Sequence, residues 1–167
     1  MSSVDVILSL YSKNSQNLTF YSNYVIIALN NYERKNQMNS YLIFNHIIDR
    51  YPKNIKSHAV RVGKMCIKYG FDYMMVGLLH DIIEDTDTTL NEIPEEFRND
   101  IATLTRRSNE TYFEYINRIK NNGNKRAITV KLCDINDHLN QKNTLKDSLK
   151  KRYLKAQEIL NEVKGIM

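Results

Sequence analysis

Glycine and proline are scarce in this chain, five and two among 167 residues. Turn signals at strand-like intervals are missing with them, which argues against β-sandwich and β-barrel architectures. Cysteine is equally sparse. Cys66 and Cys133 stand alone, so neither a zinc-finger nor a C-x-x-C redox reading applies. A reduced, cytoplasmic setting is the expectation. Long apolar runs are absent as well. The clearest one, residues 25–29, falls far short of the roughly 18 residues that cross a bilayer. No basic region followed by an apolar stretch opens the chain, so no secretory signal is expected.

What remains is rich in helix formers. Hydrophobic residues make up 42% and charged residues 26%, a composition that suits a globular domain rather than a disordered one. The expected fold class is all-α, one compact domain. Periodicity predicts helices over 4–12, 18–34, 39–50, 55–69, 73–85, 95–106, 111–121, 124–140 and 144–163. Residues 1–54 are expected to form an N-terminal helical extension packed on a core of residues 55–163. Gly70 suits a helix end, and Asp72 suits the N-cap of the helix that follows. Thr89-Leu90-Asn91-Glu92 has the form of a capping box. The helix beginning near Tyr73 carries Met74, Met75, Val76, Leu78, Leu79, Ile82 and Ile83, apolar on most sides, and should lie in the core.

The formal net charge is +5, which admits an anionic partner. Residues 81–100 are acidic, whereas the stretch from Lys142 to Lys155 is basic. The basic stretch reads either as a solvated helix face or as a surface toward a phosphate-bearing substrate. No nucleic-acid-binding module is recognisable. A membrane partner is not expected, and homo-oligomerisation is left open.

The chemistry concentrates at the end of the apolar helix, in Leu78-Leu79-His80-Asp81-Ile82-Ile83-Glu84-Asp85-Thr86. Burying four such groups is costly unless they pair or bind a cation. Neighbouring helical residues point about 100° apart, so His80 and Asp81 can both reach an ion between them. Glu84 follows His80, and Asp85 follows Asp81, by one helical turn. Two further residues match this set in type. His58 stands near the start of an apolar-periodic helix, and Asp134 stands on an apolar helix that runs from Ala127. Taken singly, each reads as well as a structural residue.

The order His58, then His80-Asp81, then Asp134 resembles the signature of HD-domain metal-dependent phosphohydrolases. The run His80-Asp81-Ile82-Ile83-Glu84-Asp85-Thr86-Asp87-Thr88-Thr89-Leu90 is similar to the corresponding stretch of RelA/SpoT-type alarmone hydrolases. So is Val130-Lys131-Leu132-Cys133-Asp134. Leu104-Thr105-Arg106-Arg107, Glu110-Thr111-Tyr112 and Arg152-Tyr153 look like small stand-alone members of that group. The resemblance spans about residues 55–160. It implies one divalent metal, usually manganese, with His58, His80, Asp81 and Asp134 as ligands. Glu84 and Asp85 would then be catalytic, beside the attacking water, with Glu84 leading. Lys131, His138 and Arg152 are the candidate substrate contacts. The implied reaction removes pyrophosphate from the 3′ position of a guanosine tetra- or pentaphosphate. The alternatives are an HD-type hydrolase of a nucleoside monophosphate, NADPH or a cyclic nucleotide, and a non-catalytic nucleotide-binding module.

Three departures from the family pattern stand out. Ala59 follows His58 where the family has proline. The Arg-Lys pair that precedes the first ligand is missing, with only Arg50 and Lys53 nearby. His138 stands where the family has asparagine, four residues after the last aspartate. The first affects only the local turn, and the other two concern the nucleotide more than the metal.

Overall fold

The computed structural model describes residues 47–122, 124–140 and 145–164. The helices expected over 4–12 and 18–34, and most of 39–50, lie outside these residues. So does the N-terminal extension, apart from residues 47–54. Among the described residues every regular element is helical and none is a strand, as composition predicts. In chain order, α1 is Lys53–Cys66, α2 Phe71–Leu79, α3 Ile82–Asp85, α4 Glu95–Leu104, α5 Tyr112–Asn121, α6 Lys125–Asn140 and α7 Asp147–Lys164. Short 3-10 turns at Ile67–Tyr69 and Leu90–Glu92 link α1 to α2 and lead toward α4.

Helix α6 is the centre of the domain. It packs against α1, α2, α4, α5 and α7. Ten of its sixteen residues are buried, among them Ala127, Val130, Leu132 and Ile135, so it is enclosed on most sides. The core around it comes from Val62 and Cys66 of α1, Val76 and Leu79 of α2, Ile101 of α4, Ile116 and Ile119 of α5, and Ala156 and Leu160 of α7. Arg126 ties the start of α6 to two neighbours. Its guanidinium donates to Asp100 of α4 at 2.9 Å and to Asp72 of α2 at 2.8 Å. Asp100 is buried, and the forked guanidinium supplies the charge it needs.

Several local expectations hold. Thr89 and Glu92 form a reciprocal capping box. Thr111 and Glu114 form a second one, at the start of α5, that the sequence reading missed. Two expectations need correction. Asp72 is not the N-cap of α2. Gly70 holds that position at φ 122°, a left-handed value that suits glycine, and Asp72 falls in the first turn, where Arg126 takes its carboxylate. The helix expected over 73–85 is also not continuous. It stops at Leu79, and the backbone turns at Asp81 (φ −106°, ψ 5°) before α3 begins. The amides of Glu84 and Asp85 both donate to the Asp81 carbonyl at 3.0 Å, so the chain rewinds around Asp81. Periodicity misses this break because apolar residues continue on both sides of it.

The feature that positions the site is the close crossing of α1 and α2. A Cβ placed on Gly77 would lie 3.1 Å from the Cα of Gly63, and one on Gly63 would lie 2.5 Å from Leu78 Cγ. The two backbones therefore meet with nothing between them, one turn past His58 and one turn before His80. We expect Gly63→Ala to lower unfolding free energy by about 1–3 kcal/mol through overpacking, more than the ~1 kcal/mol that alanine gains in helix propensity. Urea unfolding measures the change. Adding Leu78→Ala, which removes the clashing Cγ, should give a loss smaller than the sum of the single losses.

Candidate metal centre

Three segments meet at one place. His58 arrives on α1, His80 and Asp81 at the α2–α3 break, and Asp134 on α6. His58 Nε2 lies 3.2 Å from His80 Nε2 and 3.1 Å from Asp134 Oδ1. His80 Nε2 lies 2.9 Å from Asp81 Oδ2 and 3.7 Å from Asp134 Oδ1. His58 Nε2 is 3.6 Å from Asp81 Oδ2. His80 and Asp134 are almost fully buried, and Asp81 and His58 are partly open to solvent.

The tautomers decide what these contacts mean. His80 Nδ1 is 2.7 Å from the Gly77 carbonyl oxygen, which can only accept, so Nδ1 carries the proton. His58 Nδ1 is 2.8 Å from Asp137 Oδ2, again an acceptor. In the neutral rings both Nε2 atoms are then bare lone pairs. They point at each other and at two carboxylate oxygens. Asp134 Oδ1 is buried with no hydrogen bond of acceptable geometry, although two imidazoles stand within 3.2 Å of it. Lone pairs crowded in this way repel unless a cation or protons lie among them. Donors about 2.0–2.2 Å from one ion sit roughly 3 Å apart when adjacent, and the spacings found here match. His58, His80 and Asp81 form one set able to hold a metal ion, and His58, Asp134 and His138 form a second that shares His58.

Without a metal, protons fill the role. Burial disfavours charge on His80, yet Asp81 and Asp134 outweigh it and push the imidazole up to about 10. His58 is raised as well: burial opposes this, and Asp134 and Asp137 overcome it. Burial would lift Asp134, but the Lys131 ammonium and the surrounding imidazoles hold it well below the usual carboxylate range.

The surrounding residues divide by contact. Lys131 is buried, with its ammonium 2.7 Å from Asp134 Oδ2 and over the Tyr115 ring. Its ammonium is taken up by the Asp134 carboxylate rather than by the substrate contact expected of it. His138 Nε2 is 3.2 Å from Asp134 Oδ1, in the second of the two sets able to hold an ion. Arg152 lies over the Tyr112 ring, 4.6 Å from its centroid, and its buried Nε has no hydrogen-bond partner. The neighbouring Tyr153 ring stacks on His138, which links Arg152 to the cluster. Asp85 is half-buried and lies within electrostatic reach of Asp81 and His80. Burial, Asp81 and Glu84 all raise its pKa. Glu84 is more exposed, and one of its oxygens accepts the Arg106 amide at 2.7 Å.

Three contributors escaped the sequence reading. Asp137 bonds His58 and is itself gripped by Arg61, at 2.8 Å from Nε and 2.9 Å from Nη2. A signal for this pair existed. Arg61 follows His58 by three residues and Asp137 follows Asp134 by three, so each shares a helix face with a ligand. The third, Tyr51, is buried against Asp81 and Asp85, and burial and those charges keep its phenol protonated. No pattern around Tyr51 points to this.

Comparison of the chain with protein-family models and with curated proteins gives no match.

The raised imidazoles set a pH dependence for the metal-free protein. Their protonation stabilises the fold fully below the unfolded value of about 6.5 and is lost as pH rises through the folded value, about 10 for His80. Chelator-treated protein should therefore lose thermal stability between those limits. Added divalent metal should flatten that loss, because it replaces the protons. Unfolding scans from pH 6 to pH 10, with and without metal, check both; a metal-free stability that rises across the window contradicts the assignment.

Proposed function

We propose that the protein is a metal-dependent phosphohydrolase of the HD type, acting on a phosphorylated nucleotide. The preferred reaction removes pyrophosphate from the 3′ position of a guanosine alarmone. One observation carries the reading: imidazole nitrogens and carboxylate oxygens from α1, the α2–α3 break and α6 converge in the order His58, His80-Asp81, Asp134. A half-buried carboxylate with a raised pKa, Asp85, stands beside them. The run from His80 to Leu90 and the run ending at Asp134 supply the resemblance to alarmone hydrolases.

A single divalent ion, manganese by that resemblance, supplies Lewis acidity to a water and to the phosphoryl oxygens when bound. The chain's residues do the rest. Asp137 and the Gly77 carbonyl hold His58 and His80 in the tautomers that leave Nε2 bare. Lys131 keeps Asp134 ionised. Asp85 accepts the proton of the attacking water, for which a raised pKa is an asset. Glu84, steadied by the Arg106 amide, supports Asp85. The water oxygen bonds to phosphorus, the bond from phosphorus to the 3′ oxygen breaks, and the 3′ oxygen takes up the proton that Asp85 accepted, giving a 3′ hydroxyl and free pyrophosphate. Arg152, with an unused Nε and an aromatic bed, neutralises phosphate charge.

A second reading keeps the chemistry and changes the nucleotide. Arg50, the nearest stand-in for the missing Arg-Lys pair, is occupied by Glu92 at 2.8 Å and by Thr88 at 3.3 Å. A hydrolysis screen with manganese separates the readings. It compares a 3′-pyrophosphorylated guanosine nucleotide with 5′-monophosphates, cyclic nucleotides and NADPH. Pyrophosphate release supports the first reading, and release of single phosphates from the others moves the answer to the second. Tight nucleotide binding with no turnover of any substrate indicates a binding module. On whichever substrate turns over, Asp85→Asn should lower kcat by about 10²–10⁴ with metal content unchanged. Arg152→Ala should raise KM about tenfold and leave kcat nearly intact, as expected for a contact made equally in ground and transition states.

A further inference from the structure

We infer that His138 is an additional protein ligand at the metal centre, acting with His58 and Asp134 in the second of the two donor sets that share His58. The inference rests on the metal-centre reading above and is independent of the substrate.

The geometry begins with Asp134. Its Oδ2 is taken by Lys131 at 2.7 Å, which leaves Oδ1 to face the cluster alone. Oδ1 is buried and has no hydrogen bond of acceptable geometry. His58 Nε2 and His138 Nε2 stand 3.1 Å and 3.2 Å from it. Neither imidazole is aimed to donate to that oxygen. Both are placed as an adjacent donor to the same cation would be. His138 reaches this point because it follows Asp134 by four residues on α6, one turn along the same face.

The ring of His138 is also held in place. It stacks on Tyr153 with centroids 4.9 Å apart and planes 6° apart. The His58 ring also lies 4.7 Å from it, tilted by 30°. This support from α7 confines the ring before any ion binds, so little rotamer freedom is lost on ligation. Tyr153 gains a role from the same contact, as the residue that orients His138.

The donor set has a chemical consequence. Imidazole nitrogen favours cobalt, zinc and iron over manganese, and manganese prefers oxygen. A further imidazole should therefore strengthen Co²⁺ binding more than Mn²⁺ binding. A purely structural histidine would alter both alike.

The test titrates Co²⁺ and Mn²⁺ into the full-length, metal-free protein, for wild type, His138→Gly, His138→Asn and Asp81→Asn. The expected result is a loss of about tenfold or more in Co²⁺ affinity for both His138 variants, a smaller loss for Mn²⁺, and a changed Co²⁺ visible spectrum. Added imidazole should restore the spectrum and the affinity of His138→Gly. His138→Asn keeps the helix intact if the glycine variant does not fold. Unchanged Co²⁺ affinity and spectrum in the His138 variants, with metal binding lost in Asp81→Asn, overturns this inference and leaves the metal centre standing. Equal losses for both ions without imidazole rescue overturn it in favour of a structural role. Equal metal binding by wild type and Asp81→Asn overturns the metal centre and this inference together.

Discussion

The burial of Asp134 on the central helix is the constraint to which the rest of the site answers. A carboxylate enclosed on every side of a domain costs several kcal/mol unless its charge and its lone pairs are met. Lys131, one turn earlier on α6, meets one oxygen and balances the charge. The other oxygen has no hydrogen bond and faces imidazole nitrogens from α1 and from the α2–α3 break. A helix carrying so exposed a chemical demand at its most buried point is poorly explained by stability alone. It is well explained by a cation that completes the set.

Holding that set together depends on backbone contact. Helices α1 and α2 cross where Gly63 meets Gly77, so His58 and His80 come within reach of the same point. The Gly77 carbonyl then does a second job by accepting the Nδ1 proton of His80. The break after Leu79 matters equally. In a continuous helix His80 and Asp81 would splay apart around the axis. With the turn at Asp81, its carboxylate folds back to 2.9 Å from His80 Nε2. Asp137 and Arg61 complete the frame, fixing the His58 ring through a charged bridge between α6 and α1.

On the side of His138 the centre passes into an aromatic and cationic surface. His138, Tyr153, Arg152 and Tyr112 lie in successive contact, and the last two carry buried polar atoms without partners. Under the proposed function these unmet groups beside the His–Asp cluster would meet the phosphate oxygens and base of the nucleotide. The acidic side, with Asp85, Glu84 and the protonated Tyr51, suits the handling of protons. Under the proposed function the acidic residues would serve water activation and Arg152 phosphate neutralisation.

The sequence by itself determined the helical class, the buried character of α2 and the candidates His58, His80, Asp81 and Asp134. Helical periodicity and the shortage of glycine and proline were enough for the first two, and the cost of placing charges at an apolar helix end singled out His80 and Asp81; His58 and Asp134 joined them only through the resemblance to HD-domain hydrolases. Tertiary structure decided what each side chain touches. Lys131 and Asp134 are three residues apart, a pairing that spacing alone could suggest. The bond between His58 and Asp137 crosses 79 residues, and no local pattern encodes it. The same holds for Tyr51 against Asp81, and for the stacking of Tyr153 on His138. The break at Asp81 was hidden for a related reason: apolar residues flank it on both sides, so the periodicity runs straight through it. Local chemistry names the groups that can bind an ion, but their convergence depends on how helices far apart in the chain are packed against one another.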